Sequence, residues 1–317
     1  MLPYIGSGPY CFSNSLGMML GEGAPLPPFL EVLTGSPFGV QLLADEVPLF
    51  DPFGWDPEAG LDAAIELLGY ACERSDGDDA DDALVRLSAA AAQGPVLVGP
   101  LDMGLLLHQP GSGSAAGADH YVVVLAVDGG MVVFHDPHGH PYATLPAGEF
   151  LQAWRAEEVA YIEQPFVLRA SFARRREVTA DEALRASLPG AVAWLGVRDD
   201  RDVPPGSLAN GQGLERLAEQ ISKGELIPEI REMMEKFSVR VGARRLSDAA
   251  AALAGSGYPE PARLLRAQAR LLGGLQYPLV TGDDVALVSG LRQLAPTYDQ
   301  LHEVLAKAVA ADGVGVH

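Results

Sequence analysis

Basic residues are scarce in this chain. Twenty-two Lys and Arg stand against 42 Asp and Glu, a formal net charge of -20. A phosphate backbone is held by a basic surface, so the balance argues against nucleic-acid binding, and an anionic membrane surface would repel the chain. Cysteine is scarcer still. Cys11 and Cys72 alone, in 317 residues, make no disulfide framework and no zinc-ligand spacing. No apolar run reaches the roughly 18 residues that a membrane-spanning helix needs. Residues 1–10 lack the charged start and the apolar stretch of a secretory leader. Two thiols without a leader or a span fit a cytoplasmic protein.

What is present is material for a core. Apolar residues make up 48% of the chain, which excludes a disordered one. Cys11 opens a segment in which Leu16, Met19 and Leu20 recur near helical spacing, with Phe12 on the adjoining face. Asp56-Pro57 starts a second helix, an acidic cap followed by Pro at the first helical position, and carries it through Leu61, Ala64, Ile65, Leu68 and Tyr70. Cys72 would then end that helix as a core residue. Ala83 to Gln93 reads as a third helix, Val96 to Leu101 as a short buried strand, and Gly111 to Gly117 as a flexible loop, a mobile lid beside His120. The segments starting at His120 and Met131 read as two strands of a hairpin buried on both faces. Pro146 to Arg155 reads as a helix and Val159 to Glu163 as a strand. Beyond Arg174-Arg175-Arg176 the character turns helical, with a boundary near Val203-Pro204-Pro205-Gly206. The fold class expected is α+β, with a catalytic domain over 1–203 and a helical domain over 204–317 suited to packing or homodimerisation.

The chemistry-bearing residues are Cys11, His120 and Asp136. A thiol is a poor nucleophile until an imidazole takes its proton, and a helix N-terminus lowers its pKa further. The imidazole needs an acceptor on its other nitrogen to fix its tautomer, and Asp136 is the candidate. The register decides whether they meet. A three-residue loop at Asp128-Gly129-Gly130 sets Val122 opposite Asp136 and His138 opposite His120. The last pair share a face with Asp136. A two-residue loop at Asp128-Gly129 would put His120 and Asp136 on opposite faces. His135, His138 and His140 are dense in metal-ligand types, but the fixed helical pair or second cluster of a zinc site is missing, with only His108 and Asp119 to add. No metal and no bound cofactor are assigned.

At these residues the chain resembles the papain-like superfamily of cysteine enzymes that includes the bacteriocin-processing peptidases. The Cys helix, the His-Tyr-Val-Val-Val strand, the Asp-Pro turn and the Phe150-Leu151-Gln152-Ala153-Trp154 helix carry the likeness. More narrowly it resembles the butirosin biosynthesis H-type acyltransferases, to which the Gly35-Ser36-Pro37-Phe38-Gly39 loop and the helical C-terminal region add. The resemblance covers roughly residues 3–164. It implies a papain-like fold, with the N-terminal Cys helix on an antiparallel sheet. It also implies antibiotic biosynthesis, in which an acyl group moves from the phosphopantetheine thioester of an acyl carrier protein to a small-molecule amine. Cys11 would be the nucleophile, His120 the base and acid, and Asp136 the orienting carboxylate.

One position departs from the peptidases: the Gln that serves there as an oxyanion donor is replaced by Ile5. The Cys11 N–H supplies one donor, and Ser7, Tyr10 or Asn14 the other, with His138 a polar neighbour of the base. The same triad serves a peptidase or amidase, or a chain-offloading cyclase or hydrolase. A non-catalytic protein could also retain the fold. Carrier proteins are usually acidic, so docking calls for a basic patch. Arg174 to Arg176, or Arg240, Arg244 and Arg245, are the candidates.

Overall fold

The computed structural model describes residues 10–313. Its helices and strands, in chain order, are α1 (Cys11–Leu20), α2 (Pro27–Leu33), β1 (Gln41–Leu43), β2 (Val47–Leu49), α3 (Pro57–Leu67), β3 (Tyr70–Ser75), α4 (Ala80–Ala91), β4 (Val96–Asp102), β5 (Asp119–Asp128), β6 (Met131–Asp136), β7 (His140–Pro146), α5 (Ala147–Arg155), β8 (Leu168–Arg174), α6 (Ala180–Leu195), β9 (Leu208–Ala209), α7 (Asn210–Lys223), α8 (Pro228–Met233), α9 (Val239–Gly255), α10 (Pro259–Gly274), α11 (Gln276–Thr281), α12 (Asp284–Leu294) and α13 (Pro296–Ala311). The class is α+β, with antiparallel sheets and a helical C-terminal region. No helix among the described residues is long and apolar enough to cross a membrane.

Two compact units interleave along the chain. Among the described residues, one holds 10–30 and 69–177, the other 31–68 and 178–313. The linear division at 203/204 therefore does not follow the packing: residues 31–68 belong with the helices that come after residue 177.

The first unit is built on a six-stranded antiparallel sheet in the order β3-β8-β4-β5-β6-β7. One face carries Val122, Val124, Val132 and Phe134, packed with Phe150 and Trp154 of α5 and with Ala83 and Leu87 of α4. Burying each Val, Leu or Phe among them contributes about 1.5–3 kcal/mol relative to exposure. The sheet holds strands that local pattern did not reveal. Tyr70 and Cys72 lie on β3, not on the helix before it, since the helix stops at Leu67 and Gly69 turns the chain with φ +76°. Residues 159–163 form turns, and the strand comes later, as β8, whose Leu168 and Ala170 join the core. β7 was also missed, because only half-buried and exposed side chains precede its one buried residue, Leu145. The β5–β6 hairpin is buried on both faces only along the first half of β5. β6 alternates, with Val132, Phe134 and Asp136 inside.

The second unit combines a three-stranded sheet, β2-β1-β9, with α3, α6 and α7 to α13. Asp56 caps α3 by accepting the Ala59 N–H at 2.8 Å. Arg245 of α9 is buried between two carboxylates, Glu31 at 2.7 Å and Asp51 at 3.0 Å, and stacks over Trp55. Arg244 pairs with Asp248 at 2.7 Å. The Arg240–Arg245 cluster is thus no basic docking surface, because two of its three guanidinium groups neutralise acids of their own unit. Arg174, Arg175 and Arg176 are exposed.

Candidate functional site

α1 begins at Cys11, one residue after Tyr10, which caps it with no side-chain bond. No acidic residue stands in its first turn, so no carboxylate there offsets the positive end of the helix dipole where the thiol sits. The thiol is half-buried. α1 docks on β5 through Ser15, whose hydroxyl donates to the Tyr121 carbonyl at 3.1 Å, and through Phe12, edge-on to the Tyr121 ring. Cys11 stands one helical turn before Ser15 on the same side of α1.

The strand residue beside Tyr121 is His120, and alternation turns it to the other face of β5. There it meets Asp136. His120 Nε2 and Asp136 Oδ1 are 2.7 Å apart, both buried. The partner is a carboxylate, which only accepts, so Nε2 is the donor of this bond and the ring's other nitrogen, Nδ1, points away from Asp136.

The register that permits this is not the one the turn alone would set. Asp128 pairs with Met131 across a two-residue Gly129-Gly130 turn with φ +55° and +78°, the type I′ pattern. That register would put His120 and Asp136 on opposite faces. A bulge at Leu125, between the Val124–Phe134 and Ala126–Val133 pairs, restores the parity. Beyond it Val123 faces His135, which continues to Val122 opposite Asp136.

Asp136 is the centre of the site. Oδ1 also accepts the His138 backbone N–H at 2.7 Å. Oδ2 accepts His108 Nε2 at 2.8 Å and Gln109 Nε2 at 2.7 Å. Burial by itself would raise this carboxyl, but the bonds from His108, His120 and the His138 N–H outweigh it and hold the group far below the ordinary carboxylate range. His138 lies beside His120, the two rings 6.2 Å apart. His108 and Gln109 were not recognised as members of the site, because neither the spacing of a loop residue nor its neighbours says which carboxylate it will reach.

Of the oxyanion candidates, Ser7 lies outside the described residues, as does Ile5. Asn14 directs its amide to the Tyr10 carbonyl at 2.7 Å, one turn back on its own helix. Tyr10 is itself buried. The loop at Gly111–Gly117 is not a free lid. Asp102 accepts from the N–H groups of Gly104, Ala116 and Gly117, and the Met103 N–H donates to Ala118 O at 2.8 Å. His135 on β6, His138 in the turn after it and His140 at the start of β7 do not converge. His135 faces away and pairs with Tyr142, while His140 stacks edge-on against His108. Among the described residues no group of three or more His, Cys, Asp or Glu is arranged to hold a metal ion.

Comparison with known proteins points to the helical region. Residues 204–306 match the family described as the YobF C-terminal domain, a span that contains none of Cys11, His120 and Asp136. The chain is also similar to "Uncharacterized protein YobF" of Bacillus subtilis (strain 168), 37% identical over 165 residues, which is 51% of this chain and 53% of that protein. The chain thus spans about half the length of the curated relative it matches.

Proposed function

We propose that the unit holding Cys11, His120 and Asp136 is a cysteine-dependent acyltransferase of papain-like type. The observation that carries the reading is the buried His120 Nε2–Asp136 Oδ1 pair, one residue from the point where the Cys11 helix docks. Thiol, imidazole and carboxylate come in the chain order helix, strand, next strand. In this reading the thiol meets His120 Nδ1 across the end of β5.

The chemistry follows from the protonation pattern. His120 Nδ1 takes the thiol proton, and Asp136 stabilises the imidazolium through Nε2–H. The Cys11 thiolate attacks the carbonyl of a carrier-bound phosphopantetheine thioester. A carbon–sulfur bond to Cys11 forms, the bond to the pantetheine sulfur breaks, and that sulfur leaves with the proton from His120. An amine then attacks the acyl-enzyme, gives its proton to His120, and displaces the Cys11 sulfur. A thioester is already activated and its leaving group needs little acid assistance, so the chemistry tolerates an oxyanion site without the peptidase Gln. The exposed Arg174–Arg176 run is the basic surface offered to an acidic carrier protein.

Intact-protein mass spectrometry after exposure to acyl-pantetheine thioesters tests the assignment. One acyl mass added to the wild type and none to Cys11→Ala is the expected result. Acylation of Cys11→Ala at another residue would refute it. Added amine separates transfer from hydrolysis or cyclisation by the product released.

A further inference from the structure

Asp136 serves two imidazoles, and only one of them is accounted for by the reaction above. His108 Nε2 binds Oδ2 while His120 Nε2 binds Oδ1. With Gln109 Nε2 and the His138 N–H added, four donors occupy the roughly four lone-pair positions a carboxylate has. The two groups on Oδ2 are consecutive residues of one segment, and that segment is pinned. Asp102 holds its two ends together, and the Gly113 N–H donates to Gly104 O at 2.7 Å. A Cβ on Gly104 would lie 2.2 Å from Ser114 O, so the segment closes tightly on itself there.

His108 also carries an unexplained atom. Its side chain is 10% exposed, and its Nδ1 is buried with no hydrogen-bond partner among the described residues. The ring stands edge-on between Phe134, at 5.0 Å, and His140, at 5.2 Å. A buried unpaired nitrogen costs free energy that a phenylalanine in the same space would not. The Nε2–H bond to Asp136 is what the imidazole gains in return.

From this arrangement we infer that His108 is a positioning residue for Asp136. By holding Oδ2 it stops the carboxylate from rotating, leaves Oδ1 aimed at His120, and so keeps the His120 proton on Nε2 and the lone pair on Nδ1. The inference rests on the proposed role of His120 for its catalytic meaning, but the geometry it asserts is independent of that role. Asp136 and His140 touch the His108 ring, and His120 shares Asp136 with it.

Two variants separate donor from shape. His108→Phe keeps the ring and removes the donor. His108→Gln offers an amide N–H near the place of Nε2. Long-range proton–nitrogen NMR reads the His120 tautomer directly. The Nε2–H form dominates in the wild type and in His108→Gln, and His108→Phe shifts the ring toward a mixture with the Nδ1–H form. Gln109→Met, which removes the other donor to Oδ2, shifts it the same way and serves if His108→Phe does not fold. An unchanged His120 spectrum in the donor-less variants overturns the inference, as does equal disturbance by His108→Phe and His108→Gln. Alkylation of Cys11 by iodoacetamide from pH 5 to 9 gives the functional side. His108→Phe slows it at neutral pH by about tenfold or more, and His108→Gln stays within about threefold of the wild type. If His120→Phe alkylates as the wild type does, the thiol–imidazole reading falls, while the tautomer spectra still decide the role of His108.

Discussion

His120 and Asp136 meet at 2.7 Å because one extra residue, Leu125, sits in β5 between the turn and the site. Side chains alternate with a period of two, so one unpaired residue inverts the face of everything beyond it. The Gly129-Gly130 turn alone would have sent the imidazole and the carboxylate to opposite faces. The bulge is therefore part of the site.

Asp136→Asn should be costly at neutral pH and less so in acid. The wild-type carboxyl is held below its ordinary range, so it contributes stability above about pH 4 and loses that contribution as pH falls toward its folded-state value. An amide NH2 in its place would face N–H donors, a loss of about 2–4 kcal/mol at pH 7. Urea unfolding at pH 7 and at pH 3.5 checks this, and the gap between the two proteins should narrow at the lower pH. A gap that widens in acid would contradict the depressed carboxyl.

The hairpin turn makes a second, independent prediction. Gly130 has φ +78°, and Gly130→Ala should cost about 1–2 kcal/mol because a Cβ is disfavoured there. Gly129→Asn should be close to neutral, since Asn-Gly is the preferred type I′ pair and open space surrounds Gly129. Thermal unfolding of the two variants should rank them in that order. Equal losses would mean that the turn is not the type described.

In the other unit, Arg245→Met strands Glu31 and Asp51 without their shared cation. Breaking such a buried pair costs about 3–5 kcal/mol. Burial already raises the Asp51 carboxyl, against the opposing pull of Arg245 and Gln41. A raised folded-state pKa means that the folded form binds protons more readily, so stability recovers as pH falls. The Arg245→Met deficit should therefore be smaller at pH 5 than at pH 8 in denaturant titrations. A deficit independent of pH would show that the lost term is packing over Trp55.

Gly242→Ala tests the packing of α9. A Cβ there would lie 2.3 Å from Phe50 Cβ and 2.8 Å from Leu272 Cδ2. Ala favours a helix over Gly by about 1 kcal/mol, but overpacking costs about 1–3 kcal/mol, so the net change is a loss. A gain in thermal stability would show that Phe50 is free to move away.

Much of the element list was legible because its signals are local. The Asp56-Pro57 cap announced α3, and the Val-rich runs after His120 and Met131 announced β5 and β6. The helical character after residue 177 was visible in its Ala, Leu, Glu and Arg content. Tyr70 and Cys72 misled because a helix that stops at Leu67 and a strand that starts at Tyr70 leave too few residues for the period to change visibly. The three-residue loop that would set His138 opposite His120 is absent from the hairpin, and their rings lie 6.2 Å apart.

The chain's own pattern determined that a thiol begins a helix, that a histidine begins a strand, and that an acid ends the next one, because caps, turns and periodicity act over a few residues. Only the tertiary structure decided that the imidazole and the carboxylate share a face, and that His108 and Gln109 close on the same carboxylate. A bulge and a loop closure are settled by what they pack against, and those neighbours lie far away in the chain.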